Sequence, residues 1–172
     1  MNHIDEQLCP MTYQVEISIP DEVEELFNVR RDGLPEVIAV NAGLLSFPHH
    51  SIFPWYLCLS VEAQDLIDNG MPSPKESDLL FKMIDELSLV VMSGKTVRGS
   101  VNALFLARST WNGTRELHYY VHDPEIVHGE LQEALNGKIW CREWSYRMER
   151  DEEWEKAGYI FQVFPQANDL SS

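Results

Sequence analysis

The sequence predicts an α+β fold in which two helices lie on one face of an antiparallel sheet. Three observations carry that expectation: two helices that begin with the same cap-and-proline device, a hairpin with an Asn-Gly turn between them, and strand-like runs on either side. The chain has 172 residues, 44% of them apolar, enough to bury a sizeable core. A single domain over 1–172 is therefore expected.

In chain order, residues 12–19 alternate as a strand, with Tyr13, Val15, Ile17 and Ile19 on one side, and Pro20 stops it. Residues 21–27 read as a short acidic helical turn, its carboxylates Asp21, Glu22, Glu24 and Glu25 favoured by the helix dipole. Arg31-Asp32-Gly33-Leu34-Pro35 reads as a turn before a strand at 36–40. Residues 41–54, with Gly43, Pro48, His49, His50 and Pro54, form a loop. Adjacent histidines point to opposite sides of an extended chain, so His49 and His50 are not expected to share a metal ion. Residues 55–61 are a strand with Leu57, Leu59 and Val61 turned toward the helices.

The first helix opens at Ser73-Pro74-Lys75-Glu76: a side-chain acceptor at the cap, a proline where no amide donor is missed, and a glutamate that closes a capping box. Leu80, Met83, Ile84, Leu87 and Val91 then supply one buried stripe. Residues 101–111 and 114–122 flank Asn112-Gly113, a pair suited to the positive φ of a two-residue hairpin turn. Pairing Trp111 with Thr114 sets Leu106 opposite Tyr119, Phe105 opposite Tyr120 and Leu104 opposite Val121. Leu104, Leu106, Leu117, Tyr119 and Val121 then face the helices, and Phe105, His118, Tyr120 and His122 face the other way. The second helix starts at Asp123-Pro124-Glu125, carries Val127, Leu131, Ala134 and Leu135, and is expected to end in a left-handed cap at Asn136-Gly137. A strand over 138–148, an acidic helical turn at 151–156 and a short strand at 159–165 complete the chain.

From 55 to 148 the order is strand, helix, strand, strand, helix, strand. Right-handed crossovers place both helices on one face of a four-stranded antiparallel sheet, the ferredoxin-like arrangement. Residues 1–54 are an N-terminal embellishment and 149–172 a C-terminal extension. The second sheet face needs a cover, either the first fifty or so residues or the partner of a homodimer.

Thirteen basic residues against twenty-eight acidic ones give a net charge of −15, so the average surface repels phosphate and anionic lipid, and nucleic acid is not an expected ligand. A basic protein surface is attracted instead. Residues 1–8 carry neither the basic start nor the apolar run of a secretion signal, and no apolar run approaches the roughly 20 residues of a membrane span. A cytoplasmic chain is the expectation. Cys9, Cys58 and Cys141 are odd in number, far apart and in no CxxC pair, so no disulfide framework or zinc site is predicted.

Gly70-Met71-Pro72-Ser73-Pro74-Lys75-Glu76 leading into an amphipathic helix, the strand-turn-strand of 94–123 that ends in Tyr-Tyr-Val-His-Asp, and the later Asp151, Trp154 and Tyr159 together resemble the bacterial domain-of-unknown-function family 695. The resemblance covers about 35–165 and brings no activity with it. In layout the chain is also distantly similar to the regulator of ribonuclease E activity B, an acidic protein that inhibits an RNA-degrading enzyme by binding it.

No dinucleotide fingerprint or Walker loop occurs, and Gly94-Lys95-Thr96 lacks the upstream glycine of a phosphate loop. Nothing in the spacing places Cys58 or Cys141 beside His118 or His122. His118 and His122 share a strand face but lie about 13 Å apart, too far for one ion. No catalytic residue, cofactor or metal is therefore predicted. The candidate partner-binding residues are Phe105, His118, Tyr120 and His122 on the second sheet face, and Trp154 among its carboxylates. Two function classes follow: a non-enzymatic, acidic protein-binding regulator or immunity-type inhibitor, and a small hydrolase-like enzyme using the histidines of an open sheet face.

Overall fold

The computed structural model describes residues 16–165. Six strands, β1 (Glu24–Arg31), β2 (Leu34–Asn41), β3 (Trp55–Glu62), β4 (Ala103–Trp111), β5 (Thr114–Val121) and β6 (Trp144–Arg150), form one antiparallel sheet in the order β1-β2-β4-β5-β3-β6. The helices are α1 (Pro74–Ser93), α2 (Pro124–Gly137) and the short α3 (Glu155–Phe161). The expected four-stranded sheet is thus too small. The correction lies at Glu24–Arg31, where a strand takes up most of the helical turn expected at 21–27. Asp32 and Gly33 take φ of 51° and 78°, the paired positive values of a tight hairpin turn, and this turn folds β1 back onto β2 residue for residue. Of the strand expected at 12–19, residues 12–15 lie outside the described residues, and 16–19 are not strand.

Both long helices start where their caps predict. Ser73 Oγ accepts from the Glu76 amide, and Asp123 Oδ1 accepts from the Glu125 amide. α2 ends differently from expectation: Gly137 is its last helical residue, and Lys138 leaves in extended conformation rather than through a left-handed cap. The stripe of Leu80, Met83, Ile84, Leu87 and Val91 packs with Val127 and Leu131 of α2 over Leu57, Leu59, Val61, Leu117, Tyr119 and Val121. Both helices therefore cover one face of the sheet.

The hairpin register holds from Trp111–Thr114 to Ala107–His118 and then slips by one residue. Leu106 is the extra residue of a bulge, so Phe105 pairs with Tyr119, Leu104 with Tyr120 and Ala103 with Val121. One inserted residue exchanges the two faces beyond it. Phe105 now packs on the helix side, its ring edge-on to Tyr119 at 5.7 Å, while Leu104 and Leu106 join the opposite core.

That opposite core is as complete as the first. Ile38, Val40, Tyr56, Cys58, Leu104, Leu106 and Tyr120 project from the sheet and are covered by Leu44, Phe47 and Phe53 of the 42–54 segment and by Trp154 and Ala157. The strand expected at 159–165 is not formed. Residues 155–161 are helix, with Ala157, Ile160 and Phe161 turned inward at helical spacing.

Candidate functional site

On the face away from α1 and α2, β3 and β5 run side by side with Tyr56 opposite Tyr120, Cys58 opposite His118 and Ser60 opposite Glu116. Across β3, Cys58 also faces Arg147 of β6. At the Tyr120 end this face is sealed by the chain itself. Beyond His118 it turns polar, and Ser60, Glu116, Ser145 and Arg147 reach solvent.

The Tyr56 hydroxyl and His118 Nδ1 are 2.5 Å apart, their rings stacked at 24°. His118 Nε2 points at Glu116 Oε2, 3.5 Å away. Burial, with the nearby charges of Arg147 and Arg31, drives the His118 pKa down to about 3, so the ring is neutral. Tyr56 donating to Nδ1 leaves the N–H on Nε2, facing the carboxylate. The Tyr56 hydroxyl is itself held protonated by burial and by its neighbour Cys58. Cys58 is fully buried, and burial together with Glu116 pushes its thiol pKa upward. A thiol held protonated beside an uncharged imidazole is not the activated thiolate of a cysteine nucleophile. The donor atoms of Cys58, Glu116 and His118 all lie within 4.8 Å of one another. One nitrogen, one sulfur and one oxygen donor so placed are a ligand set for a borderline-soft metal ion.

The other residues expected at a partner-binding face take different positions. Tyr120 is fully buried: its hydroxyl donates to Asp151 Oδ2 at 2.7 Å and accepts from the Ala157 amide at 3.1 Å. Trp154 is 2% exposed and its Nε1 donates to the Phe53 carbonyl at 2.9 Å. Phe105 is half-buried on the helix side, and His122 is exposed, its Nδ1 2.6 Å from the Ile52 carbonyl. His118 is thus the one expected residue that belongs to the polar cluster. Tyr56, Glu116 and Arg147 carry no signal in the sequence, and spacing alone does not place Cys58 beside His118, because adjacency across strands is a matter of register.

The sequence pattern of a family described as "Family of unknown function (DUF695)" matches residues 25–159. The chain belongs to this family. No curated protein and no solved structure matches it. Two of the residues that carry the DUF695 resemblance have structural work. The Asp151 carboxylate accepts from the amides of Glu155 and Lys156 at the start of α3 as well as from Tyr120, and Trp154 lies flat on the Tyr120 ring. The third, Tyr159, is 74% exposed. No helix among the described residues is long and apolar enough to cross a membrane.

A groove of about 430 Å³ opens at the β6 edge, lined by Lys138, Trp140, Arg142 and Trp144 and also by Ser60 and Ser145 of the polar face. The Trp144 Nε1 has no hydrogen-bond partner, the one such buried side-chain atom among the described residues. Arg142, beside it, is committed to Glu76, which it grips through Nε at 2.8 Å.

Proposed function

We propose that this DUF695 protein is a non-enzymatic, acidic protein-binding regulator or immunity-type inhibitor that acts in the cytoplasm on a basic partner. The observation that carries this reading is the disposition of charge. The solvent side of α1 and α2 displays Asp78, Asp85, Glu86, Glu125, Glu130 and Glu133 against Lys75, Lys82 and Lys138, on a chain whose net charge is −15. Such a surface attracts and orients a basic protein and repels nucleic acid. The layout likeness to the regulator of ribonuclease E activity B supports the same class by analogy alone. Within the six-stranded sheet we read β3-α1-β4-β5-α2-β6 as a ferredoxin-like unit, supported by its strand order β4-β5-β3-β6, with the β1-β2 hairpin added beside β4.

The experiment is co-purification with the tagged chain at low and then high salt, repeated with Glu130→Lys/Glu133→Lys. A basic protein held stoichiometrically at low salt, released by high salt and lost from the variant supports the reading. No partner at low salt, or one indifferent to the variant and to salt, removes it.

A second reading, a small hydrolase-like enzyme, draws on the His118–Glu116 contact at 3.5 Å on the solvent-reaching half of the sheet. His122 contributes nothing to that site, being tied to the Ile52 carbonyl. Activity found by substrate screening and abolished by Glu116→Gln supports it; activity unchanged in that variant excludes it.

A further inference from the structure

We propose that Cys58, His118 and Glu116 form a binding site for one divalent transition-metal ion of the zinc class, with Cys58 Sγ, His118 Nε2 and Glu116 Oε2 as protein ligands and a fourth position open toward solvent. The inference is independent of the partner-binding reading above.

The geometry argues for it at three levels. First, the three donor atoms lie within 4.8 Å of one another, and His118 Nε2 and Glu116 Oε2 are 3.5 Å apart. Ligand atoms around a tetrahedral zinc ion are separated by about 3.5 Å, so one edge of the polyhedron already has its length. Glu116, the one partly exposed member, is the side chain with freedom to bring its carboxylate onto the ion. Second, two of the ligands are held rigidly on neighbouring strands, Cys58 and His118 being directly opposed in the β3–β5 ladder. A site built on strands is more exact than one built on loops. Third, His118 has the support that metal-binding histidines have: its other ring nitrogen, Nδ1, is 2.5 Å from the Tyr56 hydroxyl.

The charges balance. A thiolate and a carboxylate neutralise a dication, so the ligand set itself is neutral, beside the Arg147 guanidinium that faces Cys58 across β3. Binding releases one proton, from the Cys58 sulfur to solvent. The imidazole N–H moves from Nε2 to Nδ1, and the Tyr56 hydroxyl turns from donor to acceptor. Sulfur, nitrogen and a single carboxylate select zinc, cobalt or a similar ion over magnesium or calcium, which prefer oxygen alone. The sequence conceals the site because its ligands sit in no short motif: Glu116 and His118 are two residues apart, and Cys58 comes from a strand on the far side of α1.

The test is titration of the purified full chain with cobalt(II) alone, followed by displacement with zinc. Expected are one cobalt per chain, a near-ultraviolet thiolate-to-cobalt charge-transfer band and its loss on adding zinc. Cys58→Ser should abolish the band, whereas Cys9→Ser/Cys141→Ser should leave it intact. Because Cys58 is buried, tryptophan fluorescence must show that the variant is folded. Two further variants guard against failure there. Glu116→Gln should weaken cobalt at least about tenfold, and Tyr56→Phe should weaken it about 10- to 100-fold, as removal of such a supporting partner does. Absence of the thiolate band, its disappearance in Cys9→Ser/Cys141→Ser, or unchanged affinity in Glu116→Gln would overturn the proposal.

Discussion

Trp154 lies flat against Tyr120, ring centroids 4.1 Å apart and planes 12° from parallel, and so fastens the C-terminal segment to the middle of the sheet. His50 stacks on Trp154 at 4.4 Å, and the indole N–H reaches the Phe53 carbonyl. One side chain therefore joins the 42–54 segment, β5 and α3. Its own backbone is left-handed at φ 55°, a conformation a bulky residue keeps only when its surroundings hold it there.

Trp154→Ala should destabilise the protein by about 3–5 kcal/mol, the usual cost of emptying a large aromatic site. Urea unfolding is the check. Near-ultraviolet circular dichroism should lose signal while helix content, held mainly by α1 and α2, stays. A loss under about 1 kcal/mol would mean that the clamp is not a structural one.

Glu76 and Asp151 should make the fold acid-sensitive. Burial alone pushes the Glu76 carboxyl up, but the amides of Asp65 and Gln64 and the Arg142 guanidinium outweigh it and hold the pKa below normal. Asp151 is likewise pushed up by burial and more than compensated by the Tyr120 hydroxyl and the amides of Lys156 and Glu155. A carboxyl depressed in the folded state adds stability above its unfolded pKa, about 4.3 for Glu and 3.9 for Asp, and that stability is lost as pH falls through the folded value. Glu76→Gln should cost roughly 2 kcal/mol near neutral pH. Its urea midpoint should also fall less steeply than that of the wild type between about pH 5 and pH 2.

The two described cysteines should differ sharply toward a thiol reagent. Cys141 is exposed, whereas Cys58 is buried in the sheet with its thiol held protonated. In a Cys9→Ser background, one thiol should react at once with an aromatic disulfide and the second only on the timescale of unfolding. Prompt reaction of both would show that the half of the sheet around Cys58 opens readily.

Deleting Leu106 should cost about as much as truncating it. Leu106→Ala removes a fully buried side chain, at about 2–5 kcal/mol. Deletion abolishes the bulge but leaves Phe105 opposite Tyr119 and Leu104 opposite Tyr120, so residues 103–105 keep their faces and only the Leu106 side chain and the local bend are lost. Circular dichroism and urea unfolding of both variants decide: a deletion variant far less stable than Leu106→Ala would show that the bend of the bulge is itself needed to seat β4.

The sequence made legible what is encoded locally. Caps at Ser73 and Asp123 are short-range hydrogen bonds, and the stripe from Leu80 to Val91 is a helical period, so α1 and the start of α2 can be read directly. Elsewhere local signals were ambiguous. Residues 21–27 combine carboxylates with Leu26 and Phe27, which suits a helix start as well as the edge strand that the Asp32-Gly33 turn imposes. Residues 159–164 alternate like a strand, yet Ala157, Ile160 and Phe161 also fit a helix, and packing against the sheet chooses the helix. The bulge at Leu106 lies in the apolar run Leu104-Phe105-Leu106, which carries no period to betray it. The polar cluster was invisible for a further reason: Tyr56 and His118 are 62 residues apart and meet only through strand register.

The clamp at Trp154 also has a consequence during synthesis. The helix-side core is assembled from residues no later than Met148, so it can condense before the last segment of the chain is in place. The opposite core, roofed by then only by Leu44, Phe47 and Phe53, stays partly open until Trp154 and Ala157 appear, leaving part of Tyr56, Leu104 and Tyr120 as a temporary greasy surface on a half-finished molecule. That interval is when a chaperone has something to hold, and premature termination before Trp154 would leave the surface exposed for good.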